Sequence, residues 1–181
     1  MIRRLRRTLL TAWTLLLAAV TTATSAPVTP TVTVEMRTEG ASGRFRFEPA
    51  LVWVTPGTTV RFVADSHIHG VRAIPGMLPE GVEPFAGGMG RPLVLRPTVP
   101  GVYGFKCSAH YGLGMVGLLV VGEPDPAQLA RARAIRHPPA ARVVFARLFR
   151  TLDCLARDGG CVPEVPVADL RSGRLADHAE R

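Results

Sequence analysis

The chain has 181 residues, 22 Lys and Arg against 14 Asp and Glu, a formal charge of +8 and three cysteines. That length suits one domain with appendages and leaves little room for a multidomain enzyme. Arg3, Arg4, Arg6 and Arg7 sit in a leader-like start; without them 18 basic residues face 14 acidic ones, a charge of +4, and ten of the 18 lie beyond residue 123. Nucleic-acid binding loses its electrostatic support on that count.

The four arginines are followed by an apolar run from Leu9 to Val20 and a small-residue region from Thr21 to Ala26. This is the pattern of a cleavable export signal, with Ala23 and Ser25 at the −3 and −1 positions, so residues 1–26 are read as a signal peptide. The run is too short for a comfortable span, and stable membrane insertion is not expected. Arg6-Arg7-Thr8-Leu9-Leu10 resembles a twin-arginine signal, which leaves Sec and Tat export both open. Export implies an oxidising compartment.

From Thr31 to Thr38 polar and apolar residues alternate as in a half-buried strand, and Arg44 to Phe47 alternates again after a turn at Gly40 to Gly43. Leu51–Val54 and Thr59–Val63 are further strands, separated by the turn Thr55-Pro56-Gly57-Thr58. The segment from His67 to Ile74 starts as loop and ends as strand. Pro75 to Gly90 lacks periodicity and reads as an ordered loop with at most one helical turn. Pro92–Arg96 and Val102–Lys106 are strands, and Val116–Val121 is apolar throughout, as a strand buried on both faces is. Seven or eight short strands between Gly/Pro turns make a β-sandwich or barrel.

Beyond Gly122 the pattern turns helical. Asp125-Pro126 can open a helix that runs through Ala127 to Ile135. After Pro138-Pro139, Ala140 to Arg157 places Val144, Phe145, Leu148, Phe149, Leu152 and Leu155 on one arc, with Arg142, Arg147, Arg150 and Arg157 opposite. That helix is expected to pack on the sandwich; an anionic-membrane surface helix is the competing reading. Residues 159–181 read as a loose tail. Cys154 and Cys161 have six residues between them, Gly159-Gly160 included, and a disulfide between them is expected after export.

Chemistry concentrates in Cys107-Ser-Ala-His110-Tyr-Gly-Leu-Gly-Met115. A thiolate, an imidazole and a thioether on one short loop are what a copper site with a long axial methionine requires. Taken singly, each is more often ordinary: a Cys or Met is core filler and a His a satisfied turn residue. Within nine positions the three together point to metal. One further nitrogen is needed, and Ser66-His67-Ile68-His69-Gly70 offers two.

Phe47-Glu-Pro-Ala50, His69-Gly-Val71, Met77-Leu-Pro-Glu-Gly81, Pro100-Gly-Val-Tyr103 and the Cys107–Met115 loop resemble pseudoazurin, a blue copper protein of the cupredoxin superfamily. The resemblance runs from about Thr31 to about Arg157. It implies a cupredoxin-like Greek-key β-sandwich at 27–123 with two C-terminal α-helices at 124–158. It also implies one type 1 copper held by His69, Cys107, His110 and Met115, His67 being the wrong distance from Cys107. One-electron transfer in the periplasm, as a monomer, to a nitrite reductase or another terminal reductase or oxidase is the function that follows. Gly70 stands where the family usually has Asn, Ala109 where it has Pro, and Lys106 is the single Lys where the family has a Lys ring.

No carboxylate pair or Ser/His/Asp set is apparent, and four protein ligands leave copper no open position, so an enzyme is not expected. The rival reading is a periplasmic copper carrier or storage protein without redox duty. The docking face is expected to be apolar, from Gly112, Leu113, Gly114, Met77, Leu78 and Pro79, with Arg72 and Arg91 the nearest basic residues.

Overall fold

The computed structural model describes residues 30–157 and 162–171. Residues 1–26, expected from the sequence to be an export signal, and Cys161 lie outside them. In chain order the strands are β1 (Thr31–Gly40), β2 (Gly43–Glu48), β3 (Leu51–Val54), β4 (Thr59–Ala64), β5 (Val71–Ala73), β6 (Leu93–Leu95), β7 (Gly101–Cys107) and β8 (Val116–Val121). Helices α1 (Pro126–Ala134) and α2 (Pro139–Ala156) follow, and then β9 (Val167–Asp169).

Two sheets result, with strand orders β2-β1-β4-β6 and β5-β7-β8-β3-β9. Alternation along β1 turns Val32, Val34 and Met36 inward, and the hairpin register sets Met36 opposite Phe47. From the facing sheet come Val52, Val54, Tyr103, Phe105, Leu119 and Val121, which close one core between the layers. The rings of Phe47 and Phe105 meet edge to face at 4.8 Å, and those of Phe62 and Phe105 at 5.0 Å, the arrangement aromatic quadrupoles favour. Tyr103 donates its hydroxyl to Val99 O at 2.6 Å, and burial pushes its pKa up to about 12.

The helices explain why β3 and β8 are apolar at every position. Leu51, Trp53, Val116, Leu118 and Val120 face away from the first core, and on that side they meet Ala141, Phe145, Leu148, Phe149 and Leu152 of α2. The arc read from the 3.6-residue period is therefore the packed face. Asp125 caps α1 by accepting from Gln128 N at 2.9 Å, an ordinary N-cap bond. Gln128 then reaches β7, accepting from Val102 N and donating to Val102 O, both at 2.9 Å.

The loop from Pro75 to Gly90 is ordered and holds no helical turn, within the expectation of at most one; it is pinned along β5, where Ala73 N donates to Phe85 O at 2.9 Å and Gly87 N to Val71 O at 2.8 Å. One expectation changes. The tail is not loose where it is described. β9 adds to the free edge of β3, with Val52 opposite Ala168, and Arg171 lays its guanidinium 3.5 Å from the Trp53 ring. A three-residue strand carries no periodicity of its own, and its partner lies more than a hundred residues upstream. Among the described residues no helix is long and apolar enough to cross a membrane.

Candidate metal centre

Backbone ladders deliver the site residues. β5 pairs with β7 so that Val71 lies opposite Cys107, and Ser108 N donates to Gly70 O at 3.0 Å, one step further along. His69 is thereby brought to the end of β7. On the other side Cys107 N donates to Met115 O at 3.0 Å, and both Leu113 N and Met115 N donate to His110 O, at 3.0 and 3.1 Å. The loop can close this tightly because Gly114 adopts φ 87°, and a Cβ there would also meet Ala140 O of α2 at 3.2 Å.

His69 Nδ1 and His110 Nδ1 lie 3.8 and 3.5 Å from Cys107 Sγ, and the ligand atoms of the three residues all fall within 4.8 Å of one another. Sulfur at about 2.3 Å and nitrogen at about 2.0 Å from one ion, at a trigonal angle, stand about 3.7 Å apart. The spacing therefore fits a single metal, and two imidazoles with a thiolate are the donor set of a type 1 copper site. Met115 is fully buried beside Cys107 in the inter-sheet core. His67, by contrast, is exposed, and it is His69 that joins the cluster.

His69 has no exposed surface. Burial holds its pKa below the ordinary value, the neighbouring Asp65 charge opposes that, and His110 adds to it. A neutral imidazole is the form a metal takes. Its outer nitrogen, Nε2, lies 3.0 Å from Thr38 Oγ1 and 3.4 Å from Asp65 Oδ1.

His110 is half-buried and lies flat on Phe45, with ring centroids 4.2 Å apart and planes 13° from parallel. Phe45 holds this position at φ 53°, a left-handed conformation unusual for a non-glycine residue. Sequence reasoning placed Phe45 only in a strand pattern, and missed Thr38 and Asp65 as well. Asp65, four residues before His69, was the one with a local signal; Thr38 and Phe45 come from distant strands and left none.

The face around His110 also differs from expectation. Leu113 and Gly112 are exposed, but Met77, Pro79 and Gly114 are buried. Met77 packs at Gly104, and Pro79 at Gly101, toward the opposite end of β7. Loops adjacent in sequence to a ligand need not reach its surface. The cations seen beside the His110–Phe45 stack are Arg46, 3.5 Å from Leu113 O, and Arg44, 5.2 Å from the Phe45 centroid. At Gly70, where an Asn side chain would project, the space holds Met89 Sδ, 2.9 Å from where a Cβ would stand. The backbone bond from Ser108 to Gly70 bridges the two ligand segments there.

A family model of copper-binding proteins of the plastocyanin/azurin family matches residues 34–122. The chain is 44% identical over 109 residues to a pseudoazurin of Paracoccus pantotrophus, covering 60% of this chain and 74% of that protein. It is 38% identical over 131 residues to a pseudoazurin of Methylorubrum extorquens, covering 72% and 86%. Among solved structures, the pseudoazurin of Methylobacterium extorquens superposes with a TM-score of 0.65 at 35% identity, over 67% of this chain and 98% of that one.

Proposed function

The chain belongs to the pseudoazurin family of type 1 copper electron carriers, and from that premise we propose that it shuttles single electrons in the bacterial periplasm, with copper held by His69, Cys107, His110 and Met115. It is not an enzyme. The observation that carries the ligand assignment is the convergence of the two Nδ1 atoms on Cys107 Sγ. Met115 enters as the axial ligand because it is the buried thioether whose backbone is bonded to both Cys107 and His110.

When bound, copper supplies a one-electron couple. The residues around it do the rest. Ladder bonds on both sides of Cys107 keep the donors in one arrangement whatever the oxidation state, which lowers reorganisation. Phe45, the buried Met115 and the apolar core exclude water. His110 is the ligand nearest solvent, and its edge beside exposed Leu113 and Gly112 is the exit for the electron.

Residues 1–26 direct export, 27–123 form the copper domain, 124–158 the helical extension and 159–181 the tail. Cys154 pairs with Cys161, a reading supported by Cys107 being the free thiol among the described residues while Cys154 is not one. The partners are a nitrite reductase or another terminal reductase or oxidase, met transiently by a monomer. Copper loading of the purified mature chain tests the central claim: an intense blue Cu(II) form with reversible one-electron reduction is expected, unchanged by His67→Ala. Rapid loss of copper to a mild chelator without reversible redox cycling would favour the carrier reading instead.

A further inference from the structure

The outer side of His69 is built more elaborately than a buried ligand needs. We propose that Asp65, acting through Thr38, is a positioning residue that keeps the His69 proton on Nε2 and lowers the reduction potential of the site. The proposal rests on His69 being a copper ligand.

Thr38 N donates to Asp65 Oδ2 at 2.7 Å, and Asp65 N donates to Met36 O at 3.1 Å, so the carboxylate is fixed against β1. At neutral pH a carboxylate of ordinary acidity is ionised. An ionised carboxylate only accepts. Thr38 Oγ1, 3.0 Å from Asp65 Oδ1, must therefore direct its single proton there. What the hydroxyl turns toward His69 Nε2, at 3.0 Å, is a lone pair, so Nε2 must carry the hydrogen. Ser66 Oγ lies 3.3 Å from the same hydroxyl. With the proton assigned to Nε2, Nδ1 is left as a bare lone pair on the side of Cys107.

Two consequences follow. The imidazole is preset in the tautomer that binds metal through Nδ1, with no rearrangement on loading. The nearby negative charge also makes the ring a stronger donor, and a stronger donor favours Cu(II) over Cu(I). The carboxylate is 27% exposed, which screens part of this effect but not the hydrogen-bond chain, since His69 itself has no exposed surface.

The test has two arms on the full mature chain. In the metal-free protein, long-range proton–nitrogen NMR of the His69 ring reads the tautomer directly. Nε2–H is expected in the native protein, and a mixture both in Asp65→Asn, whose single amide oxygen can accept from Thr38 N or from its hydroxyl but not from both, and in Asp65→Ala. In the copper-loaded protein, Asp65→Asn should raise the reduction potential, because charge is lost with shape kept. Asp65→Ala should raise it further and weaken Cu(II) retention by about tenfold or more. A native Nδ1–H tautomer, or an unchanged potential in both variants, overturns the proposal. A chain that shows the tautomer shift but never turns blue supports the positioning role and sinks the copper assignment, so the two failures are distinct.

Discussion

Under α2 the outer face of the second sheet buries Leu51, Trp53, Leu118 and Val120 against Phe145, Leu148 and Leu152, whereas at the end of that sheet a buried imidazole, a half-buried one and a buried thiol are drawn together. The first region is held by area. Its contacts are non-directional, and each side chain contributes roughly in proportion to what it covers. The second is held by pairing: Thr38 and Asp65 answer His69, Phe45 covers His110, and ladder bonds run from Cys107 to Met115 and from Ser108 to Gly70. Losing one member of an apolar face lowers stability and leaves chemistry alone; losing one member of a paired site alters chemistry first.

The largest expected effect lies at the paired end. Cys107→Ser should abolish the visible band entirely, since thiolate-to-copper charge transfer is gone, while far-ultraviolet circular dichroism stays native. A variant that remains blue would show that the thiolate is not the ligand. Next comes Trp53→Ala at the apolar face. Trp53 is 1% exposed, donates Nε1–H to Gly122 O at 2.8 Å and lies under Arg171. Its loss should cost about 3–5 kcal/mol in chemical denaturation with the spectrum of the folded fraction unchanged. A shifted spectrum would mean that the two regions are coupled.

Their seam offers a smaller test. Tyr111, on the metal loop, lies 2.7 Å from Nδ1 of His137, just ahead of α2, and His137 Nε2 is buried without a hydrogen-bond partner among the described residues. Burial first, and Lys106 second, hold the His137 pKa below the ordinary 6.5. The unfolded chain therefore binds the proton more readily, and His137 should cost stability as pH falls through 6.5 toward the lower folded value. Denaturation of native protein and His137→Phe across that range should show the native protein losing more on acidification. The opposite sign would refute a neutral His137. Smallest of all, Arg46→Glu should slow oxidation of the reduced protein by anionic ferricyanide several-fold at low salt, the difference fading near 1 M. No difference at low salt would place Arg46 outside the electron exit.

What the sequence determined by itself is what local spacing encodes. Cys107, His110 and Met115 lie on one short loop, so their chemistry was legible before any fold. The 3.6-residue arc of α2 was legible for the same reason, and the unbroken apolar run of β8 announced a strand covered on both faces. Tertiary structure decided what depends on partners far along the chain. It separated buried His69 from exposed His67, which differ by only two positions. It brought Thr38 and Phe45 to the imidazoles from β1 and β2, and turned Met77 and Pro79 away from them. It also enlisted Val167–Asp169 as an edge strand. Periodicity reports which face of its own element a residue occupies; sheet register and loop closure determine what that face meets.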